Sequence, residues 1–380
     1  MKRELLIVAG ESSGDLHGAS FIRELKKLDK DITVFGIGGN KMKAEGMETI
    51  YHINQVSFLG FVEVLKHIPF MQKVKARLVI EALKREIKTA VLIDYPGFNL
   101  QIANELKPHG INLIYFISPQ VWAWGAGRIH KIKKLISKML VILPFEEKLF
   151  SDAGIDTEFV GHPLLEQVAN YNFLTKEELF AKYNLDSNKE ILLVLPGSRR
   201  QEVKMLFPAV INAAEKLAAE FNLQTVVACS EDIEEKVFRD LSSASDYKLI
   251  KGSTYDLLKY SKFGIIKSGT STLEAGLFEL PMVIVYKTNN LTFEIGKRVV
   301  KLDRIGLVNI VLNEMVVPEL LQKDTGTDNI VNKCRDILSS NEKYNSIKEK
   351  LGRLKDNLGT QGASKRAAES VFKMMNNEAE

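Results

Sequence analysis

Asp94 is a side chain whose type and place in the sequence could do chemistry. It ends the apolar run TAVLID and is followed by YPGFN, whose proline and glycine begin a turn. A carboxylate held at the end of a buried strand can act as a general base. It can equally cap the helix that begins after Pro96, a common role for aspartate. The residues alone leave both roles open.

Two further stretches place small polar residues where a strand meets a helix. LPGSRRQE begins at Leu195, and SGTSTLEAG begins at Ser268. Free backbone N–H groups and a guanidinium together suit a diphosphate. Either stretch alone is more typical of helix capping by Ser or Thr. Together they predict one nucleotide-diphosphate site, whose candidate residues are Arg199 as the cation with Gly197, Ser198, Ser268, Gly269, Thr270, Ser271 and Glu274.

The turn GESSGD follows the first apolar run of the chain. A turn this small lets a sugar approach the backbone closely, while a carboxylate binds sugar hydroxyl groups or caps a helix. GESSGD lacks the Lys-Ser/Thr ending of a Walker loop, and GIGGNKM has Lys41 in place of the third glycine of a dinucleotide fingerprint. Both absences count against ATPase and dehydrogenase functions. The candidate binding residues of this turn are Glu11, Ser12, Ser13, Gly14 and Asp15.

Alternating strands and helices must position these turns. The strand-like runs of the first half are LLIVA, ITVFGIGG, TAVLID, INLIYFIS and KMLVILPFE, with helical stretches such as Phe21 to Leu28 and Val74 to Leu83. The second half repeats the pattern with ILLVLPG, QTVVAC, FGIIKSG and PMVIVYK. This alternation is typical of parallel, doubly wound sheets. The predicted fold class is α/β, with two Rossmann-like domains facing a central cleft, where ligands of open α/β sheets bind.

Chain length supports two domains, because a single hydrophobic core stops growing well below 380 residues. The boundary is predicted after FVGHP, so the N-terminal domain spans residues 1–163 and the C-terminal domain spans residues 164–359. The last helix, within residues 360–380, has no strand after it and is expected to pack on the first domain.

Composition excludes several classes of function. The net charge of +4 is small against 52 basic and 48 acidic side chains, which argues against a nucleic-acid-binding surface. Cys229 and Cys334 are far apart and lack zinc-site spacing, so neither a disulfide framework nor a metal site is expected. No run approaches the length that spans a bilayer, and Glu11 interrupts the N-terminal apolar run too early for a signal peptide. We therefore expect a soluble or peripheral protein of a reducing compartment.

Seven motifs, spread through most of the chain, resemble those of one known family. GESSGD, IDYPGFN, SPQVWAW, LPFE, FVGHP, LPGSR and SGTSTLE look like the motifs of lipid A disaccharide synthase, a two-domain glycosyltransferase of the GT-B type. The resemblance implies an inverting enzyme that joins UDP-2,3-diacylglucosamine to 2,3-diacylglucosamine 1-phosphate through a β-1,6 bond. It implies no metal and no cofactor. It also implies a cytoplasmic protein that associates peripherally with the inner membrane.

The resemblance assigns roles to the residues of the two predicted sites. Asp94 is then the base that takes the proton of the acceptor hydroxyl group. Arg199 then stabilises the negative charge that grows on the leaving UDP, and Glu274 is a candidate partner of its ribose. The N-terminal domain would bind the acceptor and its lipid, and the C-terminal domain would bind the UDP-sugar. Gly97 stands where the family commonly has a second aspartate, so no catalytic role is expected there.

Three residues become substrate-binding candidates because they lie in matching motifs: Trp122 in SPQVWAW, Glu146 in LPFE and His162 in FVGHP. Trp122 and Trp124 flank Ala123, and two indoles so close together more often brace a loop than stack on a sugar. His162 is by default a turn residue. The resemblance alone favours a place in the cleft.

An unusually apolar stretch, from Val56 to Phe70, is the candidate region for handling a lipid. Basic neighbours such as Lys73 and Arg77 would help it at an anionic membrane interface. A buried helix of the first domain explains the same pattern, because periodicity alone does not exclude it. The predicted acyl or membrane contacts are Phe58, Leu59, Phe61, Val62 and Leu65.

The expected partners are the two lipid substrates, the cytoplasmic face of the inner membrane and a second copy of the chain in a homodimer, with no nucleic acid. Two other functions remain open. A UDP-sugar 2-epimerase of the same architecture needs no second substrate, so incubation with UDP-N-acetylglucosamine alone would reveal it. A non-catalytic nucleotide-sugar-binding protein would bind UDP without turnover and tolerate replacement of Asp94. The apolar stretch favours the lipid enzyme over both.

Overall fold

The apolar runs form the inner strands of two parallel sheets in the computed structural model, which describes residues 3–56, 67–122, 127–231, 233–242, 246–289, 293 and 303–377. The chain divides into unit 1, Met1–Glu166 with Leu358–Glu380, and unit 2, Gln167–Asn357. Each unit contains one sheet with helices between its strands. The predicted α/β class with two parallel sheets is confirmed.

Unit 1 contains a seven-stranded parallel sheet in the order β3-β2-β1-β4-β5-β6-β7. The order reverses between β1 and β4, and the carboxyl ends of strands beside such a reversal are the usual ligand site of an open α/β sheet. The strands are β1 (Glu4–Ala9), β2 (Thr33–Gly38), β3 (Glu48–His52), β4 (Thr89–Ile93), β5 (Asn112–Phe116), β6 (Lys138–Val141) and β7 (Thr157–Phe159).

The helices of unit 1 lie between these strands and at the end of the chain. Within the described residues they are α1 (Ser12–Leu28), α2 (Asn40–Ala44), α3 (Ile53–Val56), α4 (Ile68–Lys84), α5 (Pro96–Leu106), α6 (Arg128–Leu135), α7 (Pro144–Asp152) and α8 (Leu164–Ala169), in which the chain passes into unit 2. A 3₁₀ turn spans Lys107–His109. The C-terminal helix, Ala363–Asn377, belongs to unit 1 and packs on α1.

Unit 2 contains a six-stranded parallel sheet in the order β10-β9-β8-β11-β12-β13. Its strands are β8 (Glu190–Leu195), β9 (Leu223–Cys229), β10 (Lys248–Lys251), β11 (Ser261–Lys267), β12 (Met282–Tyr286) and β13 (Glu319–Leu321). Its described helices are α9 (Lys176–Tyr183), α10 (Arg200–Phe221), α11 (Glu235–Asp240), α12 (Thr254–Tyr260), α13 (Ser271–Leu277), α14 (Leu307–Val311), α15 (Thr327–Leu338), α16 (Asn341–Gly352) and α17 (Leu354–Asn357). A 3₁₀ turn spans Gln322–Thr325.

Burial on both faces explains why the inner strands are continuous apolar runs. In β1, Leu6 and Val8 join one hydrophobic cluster, whereas Leu5 and Ile7 join another on the opposite face. Successive side chains of a strand point to opposite faces, so a strand covered on both sides needs apolar residues throughout. None of the helices in the described part of the chain has the length and apolar character needed to cross a bilayer.

The four strands that the sequence analysis did not predict are the two outermost strands of each sheet: β3, β7, β10 and β13. They are three to five residues long and mostly half-buried, whereas β4 is buried throughout. An edge strand has one neighbour only and keeps polar residues in contact with water. Its sequence therefore lacks the apolar run by which the inner strands are recognised.

We predict that Gly36→Ala destabilises unit 1 and that Gly97→Ala does not. Gly36 lies in β2 with φ +139°, and a Cβ there would stand 2.1 Å from the carbonyl oxygen of Ile7. The clash and the unfavourable φ should lower the free energy of unfolding by about 2 kcal/mol or more. Gly97 lies in α5 with no atom within 4 Å of an added Cβ, so alanine there should gain about 0.5–1 kcal/mol. Urea denaturation of both variants checks the pair, and equal stabilities would contradict it.

Candidate functional site

The carboxyl edge of the unit 2 sheet brings together the two stretches that predicted a diphosphate site. β8 and β11 are neighbours, with Leu195 paired to Ile266, so the turns that follow them lie side by side. Gly197 and Gly269 have φ values of +117° and +156°, which favour glycine. A cavity of about 470 Å³ opens between these turns and is named here the unit 2 cavity. Its lining residues are Leu195, Gly197, Ser198, Arg199, Glu202, Ala228, Cys229, Ser230, Thr254, Lys267, Ser268, Gly269, Thr270, Ser271 and Glu274.

All eight residues predicted for the diphosphate site line this cavity. The lining also contains an acidic and basic pair that was not predicted, Glu202 and Lys267, whose side chains are joined by a 2.8 Å hydrogen bond. Lys267 is the last residue of β11, and Glu202 lies in the first turn of α10. A charged residue directly after an apolar run and directly before SGT was the available signal. Such a residue is expected at the carboxyl end of a strand, where Asp94 also lies.

The polar groups of the unit 2 cavity differ in whether they already make hydrogen bonds within the protein. Arg199 caps the N-terminus of α10 without a side-chain bond to the helix, and it is exposed. The Ser268 hydroxyl donates to the Ile305 carbonyl at 2.9 Å, and the Ser271 hydroxyl donates to the Lys267 carbonyl at 3.3 Å. Arg199 and the amides of the α10 N-terminus are therefore the groups most available to an anion.

Glu274 lies one turn into α13 and forms the acidic side of the unit 2 cavity. The Tyr255 hydroxyl approaches its Oε1 atom at 3.5 Å. Burial raises the pKa of Glu274 above its ordinary value. A carboxyl group held in this way can accept a hydrogen bond from a ligand hydroxyl group.

The carboxyl edge of the unit 1 sheet holds Asp94 in an unusual backbone conformation. Asp94 and Tyr95 have φ values of 45° and 49°, in the left-handed region that bulky residues rarely adopt. The backbone of Asp94 is fully engaged, since its N–H donates to the Phe116 carbonyl and its carbonyl accepts from Tyr115 Oη at 2.6 Å and Asn99 Nδ2 at 2.7 Å. The backbone is thus fixed by neighbouring elements rather than by the Asp94 carboxylate.

The Asp94 carboxyl group titrates in the range that general base catalysis needs. Burial, together with the neighbouring charge of Glu11, raises its pKa from 3.8 to about 6. The backbone N–H of Tyr95 acts in the opposite direction by stabilising the ionised form. A base whose pKa lies just below neutral pH is mostly ionised there and still accepts a proton readily. The alternative interpretation, a cap for α5, is weakened because Tyr95 occupies the N-cap position.

Asp15 is committed to the backbone of unit 1. Its Oδ1 atom accepts from the N–H groups of Gly39 at 2.7 Å and Met42 at 3.0 Å, and its Oδ2 atom accepts from Lys41 at 3.1 Å. It thereby caps α2, and its side chain is buried. Of the two roles that the sequence left open for Asp15, the geometry supports capping.

The rest of the GESSGD turn lies at the start of α1. Glu11 takes the N-cap position without a side-chain bond to the helix, and Ser12 and Ser13 are exposed. Gly14 is buried, and a Cβ there would stand 3.1 Å from the Cβ of Ala9. Glu11, Ser12 and Ser13 are therefore the members of this turn that are free to meet a ligand.

Glu146 and Trp122 bind each other. Trp122 Nε1 donates to Glu146 Oε1 at 2.9 Å, and the N–H of Leu143 donates to Oε2 at 3.3 Å. The Trp122 ring also packs edge-on against Phe145 at 5.2 Å. Burial raises the pKa of Glu146 to about 7. These contacts support the loop-bracing role for Trp122, while Trp124 lies outside the described residues.

His162 is buried and neutral. Its backbone N–H donates to the Leu358 carbonyl, and its ring Nδ1 atom accepts from the backbone N–H of Leu164 at 3.1 Å. Burial and the neighbouring His17 lower its pKa to about 3, so it carries no charge at neutral pH. These contacts agree with the turn role.

Among the described residues, no three His, Cys, Asp or Glu side chains are grouped closely enough to hold a metal ion. The predicted lipid contacts lie outside the described residues: Phe58, Leu59, Phe61, Val62 and Leu65.

We predict that Asp94→Asn stabilises the protein at high pH and not at low pH. The folded-state pKa of about 6 lies above the ordinary 3.8, so the ionised carboxylate costs stability once the pH rises through this window. Removing it should raise the free energy of unfolding by about 2 kcal/mol at pH 8 and by little at pH 4. Thermal unfolding at both pH values measures the difference. The exposed Asp328, whose pKa is lowered by Lys216, is the control, since Asp328→Asn should give no gain at pH 8.

Solved structures share the fold of the chain. A UDP-GlcNAc 2-epimerase from Neisseria meningitidis, bound to UDP-GlcNAc, has a TM-score of 0.68 at 15% identity, over 97% of this chain and 100% of that chain. A glycosyltransferase from Rickettsia africae has a TM-score of 0.57 at 13% identity, over 98% of both chains. At such identities the likeness concerns the fold alone.

Sequence comparison identifies the family. A lipid-A-disaccharide synthase of Geobacter sulfurreducens is 37% identical over 374 residues, which cover 98% of this chain and 97% of that protein. The family model described as Lipid-A-disaccharide synthetase matches residues 5–375 and so runs through both sheets. The resemblance inferred from the seven motifs is thereby confirmed, and the chain belongs to the lipid-A-disaccharide synthetase family.

Proposed function

We propose that this protein joins UDP-2,3-diacylglucosamine to 2,3-diacylglucosamine 1-phosphate and releases UDP, as an inverting glycosyltransferase of lipid A biosynthesis. The observation that carries the proposal is the family match across residues 5–375. The arrangement of the unit 2 cavity supports it, because two glycine turns and Arg199 meet there at one sheet edge. An epimerase has the fold in its favour but not the family.

Unit 2 is the proposed donor-binding part of the molecule. Arg199 and the backbone N–H groups at the start of α10 bind the diphosphate, and Ser198 lies beside them. Glu274 accepts a hydrogen bond from the ribose. As the bond to the sugar breaks, negative charge grows on the β-phosphate, and these fixed donors stabilise it better than water does.

Unit 1 is the proposed acceptor-binding part. The 6-hydroxyl group of the acceptor attacks the anomeric carbon of the donor, its proton passes to the Asp94 carboxylate, and the bond to the β-phosphate oxygen breaks with its electron pair leaving on UDP. A single displacement of this kind inverts the anomeric centre. Glu11, Ser12 and Ser13 are the proposed contacts of the acceptor sugar at the neighbouring turn. Trp122, Glu146 and His162 then act by holding the surrounding loops in place.

We also propose that the protein acts at the cytoplasmic face of the inner membrane, as a homodimer. Helix α4 supports a membrane contact, because Ile80 and Leu83 are 57% and 40% exposed and the same helix also exposes Lys73 and Arg77. This mixture of apolar and basic side chains suits an anionic lipid surface. From the sequence alone, we also propose Phe58, Leu59, Phe61, Val62 and Leu65 as membrane contacts.

Disaccharide synthesis tests the function directly. The wild-type protein should form disaccharide and UDP from the two diacylated substrates, and it should leave UDP-N-acetylglucosamine unchanged. Asp94→Asn should lower turnover about 10²- to 10⁴-fold.

Wild-type activity should fall as the pH drops through about 6, the pKa of Asp94, because the protonated carboxyl group no longer accepts a proton. Glu11→Gln should move this fall to lower pH, because it removes one cause of the raised pKa of Asp94.

Asp152→Asn is the matched control, because Asp152 is an exposed carboxylate of the same unit and should not change turnover. Epimerisation of UDP-N-acetylglucosamine without disaccharide formation would replace the proposed function. Normal turnover by a folded Asp94→Asn variant would remove Asp94 as the base.

Binding to anionic vesicles tests the membrane contact. The double variant Ile80→Glu with Leu83→Glu should bind the vesicles at least tenfold more weakly. The reason is that each apolar side chain buried in the membrane contributes about 1.5–3 kcal/mol to binding. Co-sedimentation with vesicles containing phosphatidylglycerol measures this. Met315→Glu is the control, because Met315 is also exposed, at 49%, but lies in unit 2. Equal release by the two variants would argue against a specific role of α4.

A further inference from the structure

We propose that Lys267 is a second cation for the donor diphosphate and that Glu202 competes with the diphosphate for it. This inference rests on the proposed assignment of the unit 2 cavity to a UDP-sugar. Lys267 Nζ donates to Glu202 Oε1 at 2.8 Å, and the two side chains are only 18% and 16% exposed. Both residues line the cavity.

The ion pair lies against both glycine turns of the cavity. A Cβ at Gly197 would stand 2.6 Å from Glu202 Oε2, and a Cβ at Gly269 would stand 3.9 Å from Lys267 Nζ. The absence of side chains at these two positions leaves the ammonium and the carboxylate next to the backbone of the turns. An anion bound by the turn amides is therefore within reach of Lys267 and also of the negative charge of Glu202.

The pair is only partly satisfied. Glu202 Oε2 is buried and accepts no hydrogen bond within the described residues. An ammonium group has three donors, and the described structure gives Lys267 one hydrogen-bond acceptor, Glu202 Oε1. A buried polar atom without a partner is costly, so this arrangement is more easily exchanged than a fully bonded ion pair. A diphosphate offers Lys267 several oxygen acceptors and a larger total negative charge than the single Glu202 carboxylate.

Lys267 is expected to exchange Glu202 for a phosphate oxygen when the sugar leaves, because negative charge then grows on the diphosphate. Arg199 and Lys267 face two acidic side chains, Glu202 and Glu274, along the lining. A UDP-sugar gains one negative charge on its β-phosphate when the sugar leaves, because the bonding electron pair stays with the phosphate oxygen. An ammonium that binds this oxygen stabilises the product side of the reaction. Glu202 opposes it by holding the same ammonium and by repelling the phosphate.

The two partners should change UDP affinity in opposite directions. Lys267→Met should weaken UDP binding about 10- to 100-fold, the worth of one charge-assisted hydrogen bond, and leave uridine binding unchanged. Glu202→Gln should tighten UDP binding about three- to tenfold, because glutamine keeps the size of the side chain and a hydrogen-bond acceptor but carries no charge. The double variant should bind UDP more weakly than wild type but more tightly than Lys267→Met, because Glu202→Gln still removes the repulsion of the phosphate when Lys267 is absent. Isothermal calorimetry with UDP and uridine measures all four proteins.

A second ion pair, which joins β11 to its neighbour β8, is the matched control. Lys262 lies near the start of β11 and pairs with Glu190, the first residue of β8, at 3.4 Å. It is therefore close to the amino end of the same strand pair. Lys262→Met and Glu190→Gln should leave UDP affinity unchanged. Arg199→Ala, expected to weaken UDP binding, is the positive control.

The outcomes distinguish a failure of the Lys267–Glu202 inference from a failure of the UDP-sugar assignment. Unchanged UDP affinity in Lys267→Met, or weaker UDP binding in Glu202→Gln, would overturn the inference while the UDP-sugar assignment stands. A wild-type protein that does not bind UDP would overturn the assignment itself. Uridine binding shows that each variant keeps its cavity. If Lys267→Met fails this check, Lys267→Gln takes its place, and Lys267→Arg should bind UDP within a few-fold of wild type.

Discussion

Pairing between neighbouring parallel strands is the constraint on which both candidate sites depend. In unit 1, Ala9 pairs with Ile93, and Ile93 pairs with Phe116, so the residues that follow these three strands emerge side by side. In unit 2, the pairing of Leu195 with Ile266 does the same for the two glycine turns. Every functional group discussed above reaches its neighbours because the sheet ends there. Hydrogen bonds between strands, not contacts between the polar side chains, set the geometry.

The polar residues at these edges differ mainly in what already binds them. Asp15 and Asp94 both follow inner strands, yet the Asp15 carboxylate accepts three backbone N–H groups. Asp94 is held through its backbone, and within the described residues the N–H of Tyr95 stabilises its carboxylate. A carboxylate whose oxygens are bonded to the backbone stabilises the fold, and one with unoccupied oxygens is available to a substrate. The same contrast separates Glu146, which binds Trp122, from Glu202, which keeps one oxygen without a partner among the described residues.

Burial raises the pKa of two of these carboxyl groups toward neutral pH. The pKa of Asp94 rises to about 6 and that of Glu146 to about 7, in both cases chiefly because the charged form is poorly solvated. In Asp94 the charge of Glu11 adds to this, which links the GESSGD turn to the proposed base. The left-handed backbone at Asp94 and Tyr95 is maintained by Asn99 and Tyr115, which hold the Asp94 carbonyl oxygen. The backbone conformation at this position therefore depends on two neighbouring side chains and not on the Asp94 carboxylate.

The sequence by itself determined the fold class, the inner strands and the family. Continuous apolar runs are needed wherever a strand is covered on both faces, and turn residues such as Gly197 and Gly269 are fixed by backbone conformation, so both leave a local signal. Only the tertiary structure decided the edge strands β3, β7, β10 and β13, the commitment of Asp15 to α2, and the pairing of Lys267 with Glu202. These features depend on contacts with residues that are distant in sequence. The type of a residue and its neighbours along the chain do not indicate which distant residue it will contact.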